Sequence, residues 1–217
     1  MPVPRRADQL RPRKRPVQAR SRRTVDAVLK AAAQVFTRRG YAGATTNHIA
    51  ERAGVSVGSL YEYFPSKDAL LVALMEAHLA EGETVLQQAA AEVAARGVRD
   101  LATVVRHVAR AMVELHARDR ALHRILFEEA PLSRRIRQML LEIEGRATAR
   151  VEDLLASHPD VAVPDPALAA SVVVHTVEAL THRLVLHGGG EVDVDAYVEE
   201  IVQLITRYLR RRPDPVL

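Results

Sequence analysis

The chain has 217 residues, of which 48% are hydrophobic and only 4% aromatic, and it contains no cysteine. Its core must therefore be aliphatic, and disulfide frameworks and thiolate metal sites are excluded. The formal net charge of +4 is unevenly divided, because residues 1–67 hold 14 Lys and Arg against 4 Asp and Glu, whereas residues 68–217 hold 17 against 23. A basic N-terminal segment followed by an acidic remainder is typical of a protein that binds a polyanion.

Neither a targeting segment nor a membrane segment is evident in the sequence. The charged N-terminus is not followed by the apolar stretch of a signal peptide. No apolar run approaches the roughly 20 residues that span a bilayer. We therefore expect a cytoplasmic protein that makes no membrane contact.

Apolar residues recur at helical spacing along most of the chain, which predicts an all-α fold. Residues 1–19 are rich in proline and basic residues and lack such a period, so we expect a disordered basic arm there. No stretch alternates convincingly as a strand does. The predicted helices cover, in chain order, residues 21–40, 46–53, 56–63, 66–95, 101–115, 120–129, 136–158, 166–186 and 195–212.

Residues 54–58 read GVSVG, which matches the G-x-S-x-G nucleophile elbow of serine hydrolases, and residues 187–190 spell the HGGG of an esterase oxyanion loop. The elbow needs a strand before its serine, whereas the residues before Ser56 have helical spacing. In hydrolases the oxyanion loop also precedes the nucleophile, but here it follows. A serine hydrolase is kept as an alternative, and we expect no catalytic residue.

The same residues fit a helix-turn-helix, which needs a short helix, a sharp turn with glycine and a second helix for the major groove. Thr45 or Thr46 can cap the first helix, Gly54 can take the positive φ that ends it, and Ser56 can cap the second helix. The outer face of the second helix then holds Val57, Gly58, Ser59, Tyr61 and Tyr63.

Residues 45–71, TTNHIAERAGVSVGSLYEYFPSKDALL, closely resemble the DNA-binding domain of TetR/AcrR-type transcriptional regulators. The resemblance implies a three-helix DNA-binding domain over residues 20–66 and a helical ligand-binding and dimerisation domain over residues 67–217. It also implies a homodimeric transcriptional repressor that binds double-stranded DNA at a palindromic operator. A small-molecule effector would release it from that operator. A transcriptional activator of the same fold remains open, and no cofactor is implied.

By this resemblance Thr46, Tyr61 and Lys67 contact the DNA backbone, and their hydroxyl and ammonium groups suit phosphate oxygens. We expect Val57, Gly58 and Ser59 to read bases. The basic arm is either a solvated tail or a minor-groove contact, and we favour DNA contact. The predicted DNA-binding residues are Thr46, Asn47, Ser56, Val57, Gly58, Ser59, Tyr61, Tyr63, Lys67, Arg13, Lys14 and Arg15.

Two apolar stripes near the C-terminus predict the dimer interface. Because such helices carry apolar residues on more than one face, we expect the same stripes also to bury the last two helices within one subunit. By resemblance, the interface is a four-helix bundle made from these two helices of each subunit. The predicted interface residues are Val173, Val177, Leu180, Leu184, Tyr197, Ile201, Leu204, Ile205 and Tyr208.

Polar and aromatic residues on otherwise aliphatic faces are the candidates for an effector pocket. His175, Glu178 and His182 follow one side of a helix and could line a pocket, bind a metal, or face solvent or a partner. Because no spacing is diagnostic of metal ligands, no metal is assigned. The predicted pocket residues are His78, His107, Met112, Phe127, His175, Glu178 and His182.

Overall fold

The structure is a computed structural model that describes residues 19–97, 100–131, 133–188 and 192–210. Over these residues the chain is helical with no strand, which confirms the all-α prediction. Residues 1–18 of the predicted arm, with Arg13, Lys14 and Arg15, lie outside the described residues. The helices are α1 Ala19–Gly43, α2 Thr46–Ala53, α3 Val57–Tyr63, α4 Lys67–Ala95, α5 Leu101–Arg118, α6 Arg120–Arg124, α7 Arg134–Ser157, α8 Pro166–His187 and α9 Val194–Leu209, with a π-helical turn, Ile125–Glu129, after α6.

Within the described ranges, no helix combines the length and the apolarity that crossing a membrane requires. The chain divides into two compact units. Of the described residues, we call those from 19 to 80 together with those in 121–139 the head unit, and those in 81–120 together with those from 140 to 210 the body unit. The domain boundary predicted after residue 66 stays a prediction.

The head unit is built on the buried face of α1. Val28, Ala32 and Phe36 follow one another at four-residue intervals and are fully buried, which places them on one side of the helix. The regular part of α1 ends at Gly40, whose φ of 67° and ψ of 165° are not helical. α1 packs against α2 and against the π-helical turn, and α2 packs against α3. These contacts hold the three N-terminal helices together.

The body unit is organised around α5, which packs against both α8 and α9. Asp100 caps α5 by accepting the Thr103 N–H, Asp165 caps α8 by accepting from Leu168, and Asp193 caps α9. Aspartate at these positions satisfies backbone N–H groups that a helix start leaves without partners. The core of the unit contains Leu101, Val105, Ala109, Val113, Leu155, Ala169, Ala170, Val173, Val177, Leu184, Val185, Val198, Ile201, Val202, Ile205 and Leu209.

Candidate nucleic-acid interface

The turn between α2 and α3 is fixed by local backbone bonds. Gly54 has φ 67° and ψ 31°, the left-handed conformation in which glycine is least strained. Its N–H donates to the carbonyls at the end of α2, and the Val55 N–H donates to the Ala50 carbonyl at 3.0 Å. This pattern ends a helix and turns the chain sharply. The sequence prediction for Gly54 therefore matches the observed geometry.

Ser56 starts α3 by accepting a hydrogen bond from the Ser59 N–H at 3.0 Å. Its hydroxyl also lies 2.8 Å from the Ser59 hydroxyl. On the same helix Leu60 is completely buried, whereas Val57 and Tyr61 are each 38% exposed. α3 is thus anchored by one apolar residue and exposes Val57, Gly58, Tyr61 and Glu62 to solvent.

Thr45 and Thr46 have separate roles at the start of α2. The Thr45 hydroxyl accepts the His48 N–H at 3.2 Å and caps the helix. The Thr46 hydroxyl instead lies 3.0 Å from the Tyr61 hydroxyl on α3. The two hydroxyls predicted to contact phosphate therefore form one pair on the surface, a pairing that the sequence analysis missed because it joins different helices.

Lys67 has partners that the sequence analysis did not foresee. Its ammonium donates to the carbonyls of Tyr41 at 2.8 Å and Ala44 at 3.0 Å, and lies 3.4 Å from that of Ala42. It also lies 4.4 Å from the centre of the Tyr41 ring. The Tyr41 and Ala42 carbonyls belong to the last three residues of α1 and the Ala44 carbonyl follows the helix, so the ammonium lies at the helix end, where a positive charge is stabilising. A phosphate would have to compete with them for the three donors of Lys67.

Asn47 is exposed at the start of α2 and Tyr63 is half-buried at the end of α3, beside the fully buried Phe64. Ser56 lies in the turn between two helices and not after a strand. The nucleophile-elbow interpretation of residues 54–58 therefore lacks the strand that it requires. Gly189 and Gly190 of the HGGG sequence lie outside the described residues.

The two apolar stripes predicted to form a dimer interface lie mainly inside their own subunit. Leu180, Tyr197 and Tyr208 are partly buried against the body core, and Leu204 is 53% exposed. A pattern of apolar spacing shows that a face is covered but not which surface covers it. The predicted interface residues that belong to the core of the body unit are Val173, Val177, Leu184, Ile201 and Ile205.

The predicted pocket residues do not all fall in one unit. In the head unit, His78 and Phe127 lie with their ring centres 5.7 Å apart. His123, which the sequence analysis missed, is buried beside them, and its Nδ1 lies 3.2 Å from Nε2 of His78. The four-residue spacing of His123 and Phe127 was the available signal for this cluster.

In the body unit, the remaining pocket residues occupy separate positions. The ring of His182 lies 4.3 Å from that of His116, and His107 is 3.2 Å from the Glu92 carboxylate. His175 is bonded to the Glu144 carboxylate, and Met112 is half-buried.

Glu178 is exposed as a residue, yet neighbouring atoms remove part of the water around its carboxyl. This desolvation and the negative charge of Glu144 raise its pKa above 4.5, and the charge of His175 opposes the shift.

A short helix, a left-handed glycine and a capped second helix, set in an all-α chain, define a helix-turn-helix protein of the class that binds DNA. Two family models match the chain. One, described as bacterial regulatory proteins of the tetR family, matches residues 28–74, and the other, described as the Tetracyclin repressor-like C-terminal domain, matches residues 100–209. The chain belongs to the TetR family, as the resemblance of residues 45–71 implied.

Individual relatives are similar mainly over a short segment. The chain is 47% identical over 57 residues to the class A tetracycline repressor from transposon 1721 of Escherichia coli, covering 26% of each chain. It is 46% identical over 52 residues to the transcriptional activator FasR of Mycolicibacterium smegmatis, covering 24% of each. The chain thus spans about a quarter to a third of the length of the curated relatives it matches.

A solved structure extends the similarity in fold to most of the chain. The transcriptional regulator FadR from Bacillus subtilis, in complex with stearoyl-CoA, has a TM-score of 0.66 and 19% sequence identity. The alignment covers 84% of this chain and 97% of that one. At this identity the similarity supports the fold alone.

Proposed function

We propose that this chain is a sequence-specific DNA-binding transcriptional regulator that reads duplex DNA with α3. The observation that carries this proposal is the arrangement of that helix. Its start is capped by Ser56, its inner side is held by the buried Leu60, and its outer side exposes Val57 and Tyr61. A short helix that is fixed from behind and open in front suits insertion into the major groove.

The exposed residues divide between reading bases and holding the backbone. Val57 is placed to pack on a thymine methyl group, and Gly58 lets the helix backbone approach the base edges closely. The Thr46 and Tyr61 hydroxyls, paired at 3.0 Å, can both turn to one phosphate. Asn47 directly follows Thr46 in the chain and is exposed, so its side chain can donate to a base edge or a phosphate.

The regulator is proposed to act as a homodimer, because one short helix covers only a few base pairs and two copies can read a palindrome. Large apolar residues remain exposed on α8 and α9, where Leu168 is 61%, Val172 is 40% and Leu204 is 53% exposed. Leu168 and Val172 are about one helical turn apart, so their side chains lie on the same face of α8. A second copy of the chain would cover these side chains.

We further propose that the regulator is a repressor released from its operator by a small molecule bound to the body unit. Such release requires that the effector bind more tightly to the state that does not fit the operator. An activator is the second candidate, because FasR, an activator by name, matches a short segment of the chain about as well as the tetracycline repressor does.

Selection of bound duplexes from a random pool tests the DNA-binding proposal. We expect a palindrome whose half-sites are about one helical turn apart. Tyr61→Phe and Thr46→Val, which remove one hydroxyl each, should weaken binding to the selected duplex without changing its sequence preference. Recovery of sequences without symmetry or preference would refute sequence-specific reading by a dimer.

Two further measurements separate the finer parts of the proposal. A reporter gene placed behind the selected duplex should be silenced by a repressor and induced by an activator. Leu204→Glu together with Val172→Glu should shift the protein to a monomer in sedimentation, because charges would replace the covered apolar side chains. If the variant remains a dimer, the interface lies on another surface of the protein.

A further inference from the structure

An open groove runs along the seam between α1 and α2 in the head unit. Its larger part has a volume of about 630 Å³. A continuation of about 330 Å³ shares Gln34 and Arg52 with it and adds Lys30. We call the two parts together the seam groove. Its polar lining consists of Lys30, Gln34, Arg38, Arg39, His48, Glu51 and Arg52.

The seam groove holds more positive than negative charge. Four cationic side chains line it against the single carboxylate of Glu51. Over the part of the chain that the structure describes, the side chains of Arg38 and Arg39 make no ion pair or hydrogen bond. By contrast, Arg106, Arg118 and Arg135 in other parts of the chain are each paired with a glutamate. The positive charges that share the groove repel one another, and an anion would relieve that repulsion.

Two polar features of the lining prepare the groove for such an anion. Arg52 donates from Nε to the Gln34 side-chain oxygen at 2.7 Å, which fixes its orientation and leaves its terminal nitrogens free to donate outward. The Nδ1 atom of His48 is buried with no hydrogen-bond partner among the described residues. An N–H at this atom would lack an acceptor, so Nε2 is the ring nitrogen that is placed to donate. His48 therefore offers a donor at the groove wall.

The length of the seam groove indicates which anion it fits. On α1 its lining runs from Ala27 to Arg39, which is roughly 18 Å at about 1.5 Å per residue. One DNA strand places a phosphate about every 3.4 Å along the helix axis. A chain of phosphates can contact cations along this whole length, whereas one free phosphate would occupy one end.

We propose that the seam groove binds the phosphodiester backbone of a DNA duplex, as a contact surface additional to α3. The inference relies on the proposed DNA-binding function for the source of the strand. Arg38, Arg39 and Arg52 would supply the charged donors. Because these contacts go to the backbone, they add affinity and salt dependence without adding sequence preference.

The test measures duplex binding by the full chain over a range of salt. A fluorescein-labelled duplex of about 30 base pairs with random sequence is titrated between about 50 and 200 mM salt. Arg38→Gln with Arg39→Gln is compared with the control Arg96→Gln with Arg134→Gln, which removes the same charge from exposed residues elsewhere. We expect the salt slope of the groove variant to fall by about 1.8, from about 0.9 per phosphate contact, and that of the control to stay unchanged.

Several outcomes would overturn the inference. The groove is not a strand-binding surface if both double variants keep the wild-type slope or lose the same amount. Titration with pyrophosphate tests the free anion, and binding that the groove variant abolishes without altering the duplex slope would reassign the groove to a small phosphate ligand. A folded wild-type protein that binds neither random nor selected duplex would refute the proposed function as well, which distinguishes the two failures.

Discussion

Replacing Lys67 with methionine should reduce the stability of the head unit. The Lys67 ammonium donates to the Tyr41 and Ala44 carbonyls at 2.8 and 3.0 Å, close to a third carbonyl and to the Tyr41 ring. Methionine fills the space of the lysine stem but donates nothing. The carbonyls at the end of α1 would then lose their cation while remaining partly shielded from water.

The expected loss in the free energy of unfolding follows from the two shorter hydrogen bonds, which Lys67 makes to the Tyr41 and Ala44 carbonyls. A hydrogen bond to a charged group contributes about 1.5–3 kcal/mol, and a cation at a helix end about 0.3–1 kcal/mol. Because water replaces part of what is lost and the contributions are not additive, we expect about 3 kcal/mol in total. For a chain of this size each kcal/mol lowers Tm by about 2–4 °C, so the variant should melt about 6–12 °C lower.

Thermal unfolding and duplex binding together decide between a structural role for Lys67 and a phosphate contact. Tyr61→Phe is the matched comparison. It removes a hydroxyl that is proposed to contact phosphate and whose bonding partner in the structure is the Thr46 hydroxyl. If Lys67→Met melts within about 1 °C of wild type while its salt slope falls by about 0.9, the ammonium is a phosphate donor and the capping argument is wrong.

Substitutions at four further residues test local features. Ser56→Ala should cost about 1 kcal/mol in urea unfolding through the lost helix cap, whereas Ser56→Asp should cost much less, and equal losses would contradict the capping role. The Cβ of Gly54→Ala would meet no atom within 4 Å, so this variant should lose about 1 kcal/mol of stability through backbone strain alone. Gly40→Ala should lose more stability, because its Cβ would also lie 3.2 Å from the Glu129 carboxylate. The reverse order of the two losses would contradict the geometry. Since the raised pKa of Glu178 means that ionisation opposes folding, Glu178→Gln should match wild type near about pH 4 and be more stable near about pH 8. A constant difference across that range would exclude the titration of Glu178 as its cause.

The features that the sequence predicted well are those decided by neighbouring residues. α2 covers residues 46–53 as predicted, because Thr45 caps it and Gly54 ends it in a left-handed conformation. The start of α3 depends in the same way on the Ser56 hydroxyl and the Ser59 N–H, three residues apart. Capping and turn geometry involve only a few consecutive residues, so a single sequence contains the information that determines them.

Features that depend on distant residues escaped the sequence analysis. Lys67 finds its carbonyl partners 23 to 26 residues earlier, and no local pattern marks those carbonyls as acceptors. The apolar spacing of Val177 and Ile201 indicated covered faces but not which helices would cover them, and in the structure both residues belong to the core of the body unit. The pairing of Tyr61 with Thr46 likewise depends on how two helices pack against each other.

The outer face of α3 constrains how DNA sequence can be read. It carries no Arg, Asn or Gln, the side chains that most often make paired hydrogen bonds to guanine and adenine. The Ser59 hydroxyl already lies 2.8 Å from that of Ser56, and Gly58 has no side chain to offer. Base discrimination by α3 would then depend on the methyl contact of Val57 and on the close fit that Gly58 allows. Specificity would come largely from groove shape and deformability, and backbone contacts such as the Thr46 and Tyr61 hydroxyls would set the register in which that shape is sensed.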